Sequence, residues 1–290
     1  MEFIEILKAI LFGIVEGITE WLPISSTGHM IILESLLNVK ETYGEAFWSL
    51  FLVVIQLGAI VAVLACFFNK LNPFFGKSLV NPNEEKSKEE KRNIWLLWAK
   101  VIVACLPAAV VGLVLDDILD KYLYNSIVVA VTLIIYGGFF IGLEIWNRKR
   151  EFKITNTNSL SWKMAFFIGC FQLLALIPGT SRSGVTILGA MLLLCNREVA
   201  SEFSFYLSIP VMLGASLLKC VKFFMDGNQI ILEQFLFLSI GCVVAFGVSM
   251  LVIKFLMAFI KKHDFKPFGI YRIALGIILI ILFATGVMSV

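Results

Sequence analysis

The chain has 290 residues, 59% of them hydrophobic and only 16% charged, where a soluble domain carries about a quarter charged. The charges cluster, leaving several stretches of the roughly 20 apolar residues that cross a hydrocarbon core. A soluble helical protein, with a polar face on most of its helices, is excluded, and a net charge of +3 makes no case for a nucleic-acid partner. What remains is an all-α polytopic membrane protein, a single membrane domain over 1–290.

The first apolar region, 3–37, is interrupted near its middle by Pro23 and a polar cluster. Its early part lacks a small-residue cleavage site and runs into charged residues, so it is not expected to be a cleaved signal. Spans are predicted at 47–68, 94–115 and 123–146. A second interrupted region, 164–194, is broken at Pro178, and spans at 203–224, 235–260 and 269–289 follow. Irregular backbone at membrane depth persists only where protein buries it or it lines a wet cavity, so both broken regions read as re-entrant helical hairpins. Cys66, Cys105, Cys170, Cys195, Cys220 and Cys242 stand singly in or beside apolar runs, as small buried hydrophobes rather than a metal or disulfide framework.

Positive charge orients the spans. Segment 69–92 holds Lys70, Lys77, Lys86, Lys88, Lys91 and Arg92, segment 147–163 holds Arg148, Lys149, Arg150, Lys153 and Lys163, and Lys261, Lys262 and Lys266 follow span 235–260. Segment 116–122 has Lys121 alone, and 226–234 has neither Lys nor Arg. The positive-inside rule puts the first three segments in the cytoplasm. The first hairpin then enters from outside and the second from inside.

An internal repeat agrees. Gly13-Ile-Val-Glu16 pairs with Gly169-Cys-Phe-Gln172, Ser25-Ser26-Thr27-Gly28 with Ser181-Arg182-Ser183-Gly184, and Leu57-Gly58-Ala59 with Leu213-Gly214-Ala215. All are offset by the same interval, although Pro23 and Pro178 miss it by one. Each half, 1–147 and 157–290, holds one hairpin and three spans, an odd number, so the halves are inverted and the site is expected near the midplane between them.

The two breaks carry the polar chemistry. In the first, Glu16 and Glu20 share a helical face, and after Pro23 come Ser25, Ser26, Thr27, Gly28 and His29. In the second, Gly179, Thr180, Ser181, Ser183 and Gly184 surround Arg182. Ionisable groups in a bilayer are costly and mark function. The blander reading, in which Arg182 only neutralises a glutamate, leaves the gathered hydroxyls and the histidine unexplained. The set suits phosphoryl transfer. Arg182 can grip phosphate bidentately, and loop amides beside Gly28, Gly179 and Gly184 can approach an oxyanion, with the neighbouring hydroxyls as further phosphate contacts. Ser26 or a neighbour could attack phosphorus while His29 moves the proton. Glu16 and Glu20 could hold Mg²⁺ or Ca²⁺, or one of them could orient His29. A carrier of lipid phosphate is the rival, since inverted repeats with broken helices are a transporter scaffold. It needs the arginine but no nucleophile beside a base.

At these motifs the chain resembles the undecaprenyl pyrophosphate phosphatase family, the bacitracin-resistance membrane phosphatases. The resemblance rests on Glu16-Gly-Ile-Thr-Glu20, Pro23 through His29 and Pro178 through Thr186. It extends over Gln56-Leu-Gly-Ala-Ile60, Ala200-Ser-Glu-Phe-Ser-Phe205 and Pro267-Phe-Gly-Ile-Tyr271-Arg272. It implies hydrolysis of undecaprenyl pyrophosphate in the bacterial inner membrane, recycling the carrier lipid for peptidoglycan synthesis and giving bacitracin resistance. It further implies Ser26 as the favoured nucleophile, a need for Glu16, Glu20, His29 and Arg182, a supporting divalent cation, and a site open to the outer face. Expected partners are the polyprenyl pyrophosphate lipid and membrane lipids, with a homodimer as an assembly option. The orientation makes one direct prediction. A cysteine at position 88, in a background without native cysteines, should resist an impermeant thiol reagent in intact cells, and labelling there would reverse the topology.

Overall fold

The computed structural model describes residues 1–79, 84–123 and 126–285. Every regular element among them is helical. The first broken region forms α1 (Phe3–Thr19) and α2 (Ser26–Leu37), and the short α3 (Val39–Tyr43) follows. The first span is α4 (Glu45–Val54) continued by α5 (Gln56–Cys66) across a break at Ile55, with α6 (Phe68–Leu71) after it. Then come α7 (Lys88–Leu123) and α8 (Ser126–Asn147). The second broken region forms α9 (Trp162–Gln172), a 3₁₀ turn (Leu173–Leu176) and α10 (Arg182–Leu192). The chain finishes with α11 (Arg197–Met225), α12 (Leu232–Phe259) and α13 (Lys266–Ala284).

Six of these helical stretches are long and apolar enough to cross a membrane, at Glu45–Cys66, Lys88–Gly112, Ile127–Asn147, Arg197–Met225, Leu232–Phe259 and Lys266–Ala284. They match the six predicted spans with shifted ends. The segment 116–122, expected as a loop, continues α7 as helix, while its side chains, and residues 286–289 of the last predicted span, lie outside the described part. Polarity is arranged for a bilayer. Leu217, Val243, Leu251 and Phe139 face outward, whereas Glu16, Gln172, Glu144 and Arg272 are buried, as expected where lipid offers polar groups no partner.

Helix ends follow local chemistry. Ser87 and Glu90 form a capping box at α7, with Glu90 N donating to Ser87 Oγ at 3.1 Å and Ser87 N to Glu90 Oε2 at 2.8 Å. Ser161 accepts from Met164 N to open α9, and Asn196 from Val199 N to open α11.

Small residues let the helices meet backbone to backbone, the packing mode that membranes favour. A Cβ on Gly13 would stand 2.7 Å from Gly241 O and one on Gly17 2.9 Å from Ala245 O, so α1 and α12 run side by side in the same sense. Gly58 abuts the Cys242 backbone and Cys66 Sγ reaches Met250 O, which makes α5 parallel to α12 as well. Gly169 abuts the Ala104 backbone and Gly112 faces Leu176, so α9 runs parallel to α7. Gly137 and Gly269 each approach the other's carbonyl, and Gly276 meets Ala130 O, which makes α8 and α13 antiparallel. Because Trp98 Nε1 donates to Leu71 O at 2.8 Å, the end of α5–α6 lies by the start of α7. Hence α1 and α9 advance into the molecule in opposite senses.

A second anchor ties α8, α11 and the start of α13. Arg197 donates Nε and Nη2 to Glu144 Oε1 and Oε2 at 2.8 and 2.6 Å, and Phe265 N donates to Glu144 Oε1 at 2.9 Å. The Glu144 side chain is 1% exposed. Arg197→Ala strands that carboxylate and should cost about 3 kcal/mol of stability. Thermal unfolding of the detergent-solubilised protein should show the loss, and Glu144→Gln on top of Arg197→Ala should recover part of it.

Candidate active site

The tips of the two broken regions meet. Each second helix starts from a serine in the left-handed region, Ser25 (φ 73°) and Ser181 (φ 72°). The Ser25 hydroxyl accepts from Gly28 N at 3.5 Å and that of Ser181 from Gly184 N at 3.2 Å. The repeated motif read from the sequence is therefore one backbone device used twice. It sets Ser26 and Arg182 at equivalent places, as first residues of α2 and α10.

Glu20, in the turn after α1, joins the tips. Its Oε1 accepts from Arg182 Nη2 and its Oε2 from Ser26 Oγ, both at 2.8 Å. Its backbone oxygen accepts from Ser183 Oγ at 3.0 Å. Arg182 Nη1 donates to Ser204 O at 3.0 Å, its guanidinium lies 5.9 Å from the Trp21 ring centroid, and its Nε is buried with no hydrogen-bond partner. Glu16 is buried one helical turn before Glu20, and its Oε1 also has no hydrogen-bond partner.

His29 occupies another part of the first tip. Its Nδ1 lies 2.8 Å from Ser25 O and its Nε2 2.7 Å from the Tyr271 hydroxyl. A carbonyl only accepts, so Nδ1 carries the proton, and in the neutral ring Nε2 receives the tyrosine hydrogen. The sequence paired Ser26 with His29 as its proton acceptor, whereas in the structure the Ser26 hydroxyl donates to Glu20. Ser26, Thr27, His29, Ser181 and Arg182 are half-buried, while Ser25, Gly28, Gly179, Thr180, Ser183 and Gly184 are buried beneath them. The latter build the tips more than they line an open face. Ser183 serves the Glu20 backbone, and Gly179 (φ 84°) packs against Val129 and Thr132.

Two residues that sequence reasoning did not single out hold the tips together. Arg272 is wholly buried and donates Nη1 to Pro23 O at 3.2 Å and Nη2 to Gly179 O and Thr180 O, each at 3.0 Å. Thr132 Oγ1 donates to Pro178 O at 2.9 Å. The signal for Arg272 was present, as a lone arginine inside the apolar run 269–289, which the cost of intramembrane charge marks for attention.

The fold and the tips define a multi-pass helical membrane protein with an arginine, two carboxylates, a histidine and a serine gathered inside it. Comparison with known proteins is specific. The family model of the bacitracin resistance protein BacA matches residues 9–278. The undecaprenyl-diphosphatase of Lactococcus lactis subsp. lactis is 52% identical over 283 residues, 97% of each chain. That of Enterococcus faecalis is 52% identical over 280 residues, 97% of this chain and 98% of its own. That of Streptococcus equi subsp. equi is 48% identical over 281 residues, 97% of both. The chain belongs to the BacA family.

The planar fork of Arg182 reaches Glu20 and Ser204 O at once, which a point-charge ammonium does not reproduce. Arg182→Lys should therefore be almost as damaging as Arg182→Ala, with turnover down on the order of 10²–10³. Near-native turnover of the folded Lys variant would reduce Arg182 to a counter-ion.

Proposed function

We propose that the chain is an integral membrane phosphatase that hydrolyses undecaprenyl pyrophosphate to undecaprenyl phosphate and phosphate. The reaction returns the carrier lipid to peptidoglycan synthesis and confers bacitracin resistance. The observation that carries the reading is the single carboxylate, Glu20, that accepts from both the Ser26 hydroxyl and Arg182. A hydroxyl held on a carboxylate beside a guanidinium combines a nucleophile, an acceptor for its proton and a cation for the charge that builds on a phosphoryl group. The full-length likeness to undecaprenyl-diphosphatases supplies the substrate.

In this mechanism Ser26 Oγ attacks the terminal phosphorus while Glu20 takes its proton. The bond from phosphorus to the bridging oxygen breaks, and undecaprenyl phosphate leaves with the electron pair. Arg182 swings its free donors onto the terminal phosphoryl oxygens, where charge builds. Water then attacks the phosphoserine, with His29 Nε2 as acceptor of its proton once the Tyr271 hydroxyl has turned away. Phosphate departs and Ser26 regains its hydrogen.

A hard divalent cation, Mg²⁺ or Ca²⁺, suits the oxygen donors here. Glu16 would hold it through its unpartnered Oε1, with Glu20 sharing a remaining lone pair. When bound, it would neutralise charge on the pyrophosphate oxygens.

We place the protein in the bacterial inner membrane with the site open to the outer face, a reading that the charge asymmetry along the chain supports. Division into inverted halves, 1–147 and 157–290, is supported by the twin Ser25 and Ser181 caps. A homodimer in the membrane is compatible with the lipid-facing surfaces.

Single-turnover hydrolysis of labelled lipid pyrophosphate, followed by acid and base treatment of the trapped protein, tests the nucleophile. An acid-stable, base-labile phosphoserine is expected, and Ser26→Ala should abolish phosphate release. Glu20→Gln should lose about 10²-fold or more, the scale of general-base catalysis. An acid-labile, base-stable phosphoenzyme would move the attack to His29.

A further inference from the structure

One contact of the first tip has no part in the attack on phosphorus. His29 follows Ser26 by three residues on α2, so the imidazole and the serine hydroxyl are neighbours on the helix surface. Both ring nitrogens of His29 are engaged. Nδ1 lies 2.8 Å from Ser25 O, within the tip itself, and Nε2 lies 2.7 Å from the Tyr271 hydroxyl. That second partner comes from α13, 242 residues along the chain. The two rings have centroids 5.6 Å apart and planes parallel to within 1°.

Packing does not call for the tyrosine hydroxyl. Tyr271 is 44% exposed, so a phenylalanine ring would fill its place as well. Its backbone, by contrast, is closely located. The next residue, Arg272, is wholly buried against Pro23 O, Gly179 O and Thr180 O. Gly269, two residues earlier, packs against Gly137 O. The hydroxyl is therefore carried by a stretch of helix tied to the tip it touches. It is also the right chemical type. A phenol donates to the bare Nε2 of a neutral imidazole and accepts from the Nε2–H of an imidazolium. One partner thus serves His29 before and after it takes a proton.

We propose that Tyr271 is the positioning residue for His29. It holds the imidazole by Nε2 while Nδ1–H stays on Ser25 O, so the nitrogen that takes a proton is always Nε2. The inference rests on the phosphatase reading and deepens it by giving Tyr271 to the second step alone. Attack by Ser26 uses Glu20 as its proton acceptor and leaves the tyrosine out. Hydrolysis of the phosphoserine needs it. Water gives a proton to Nε2 as its oxygen bonds to phosphorus. The bond from phosphorus to Ser26 Oγ breaks, and Oγ leaves with the electron pair and takes back the proton held on Glu20. The Tyr271 oxygen then accepts from the new Nε2–H.

Tyr271→Phe in the purified full-length protein keeps the ring and removes the hydroxyl. In single turnover of labelled undecaprenyl pyrophosphate, phosphoserine should form at a near-native rate. Its decay should slow about tenfold, part of the roughly 10²–10⁴ that a positioned general base contributes, so phosphoenzyme accumulates. In a His29→Ala background, adding Tyr271→Phe should slow decay no further, because the tyrosine acts through the histidine. A second readout needs no turnover. The chain has two histidines, so with His263→Gln in place diethyl pyrocarbonate reports on His29 alone. Its Nε2 should be carbethoxylated several-fold faster in the Phe variant, where no hydroxyl occupies the lone pair. Native decay, equal slowing of both steps, further loss on top of His29→Ala, or an unchanged modification rate would each overturn the positioning role. An unmodified protein that forms no phosphoserine and releases no phosphate would instead remove the phosphatase reading, while the modification rate still decides whether Tyr271 holds Nε2.

Discussion

Breaking a helix inside a hydrocarbon slab leaves carbonyl groups with no water to turn to, and the rest of this structure depends on how they are satisfied. Arg272 answers for both breaks at once, through Pro23 O on one side and Gly179 O and Thr180 O on the other. Its charge is met by carbonyl dipoles. A guanidinium suits the task because its donors fan out in one plane, reaching two chain segments that come from opposite directions. Without that tie the carbonyls of each tip would need separate partners, and the tips would be held together only through Glu20. The chemistry proposed for Ser26, Glu20 and Arg182 is laid over a junction already fixed from below.

Glu20 adds a second link at the same junction, of a different kind. Its carboxylate joins side chains, where Arg272 joins backbones. A buried ion pair contributes little net stability once desolvation is counted, but it specifies geometry. Here the geometry specified is a serine hydroxyl aimed at a carboxylate within reach of an arginine. The oxygen left over on Glu16 and the nitrogen left over on Arg182 show that the site is not saturated by the protein's own groups. That is the condition a polyanionic headgroup or a cation needs.

Much of this was legible in the sequence, and for identifiable reasons. Six spans follow from apolar length, because a bilayer imposes a minimum, and the breaks at 20–25 and 173–181 follow from Pro23, Pro178 and the polar residues around them. The offset repeat located Ser26 and Arg182 before any geometry was known. Partner choice was not legible. Sequence spacing put His29 near Ser26, but the left-handed turn at Ser25 sends the imidazole to the Ser25 carbonyl and to Tyr271, more than two hundred residues away. Arg272 was visible as a lone charge in an apolar run and within a matching stretch, but its role was not, because its partners are backbone oxygens that side-chain spacing does not reveal.

The paired serine caps have a consequence for how the two halves divide the work. The same fold-back, with nearly the same φ at Ser25 and Ser181, delivers a hydroxyl at position 26 and a guanidinium at position 182. A symmetric pair would have presented two nucleophiles without a cation, or two cations without a nucleophile. In the proposed mechanism, difference at one matched position turns a repeated backbone device into complementary tools. In that mechanism neither tip acts without the other, because one brings the hydroxyl and the other the guanidinium.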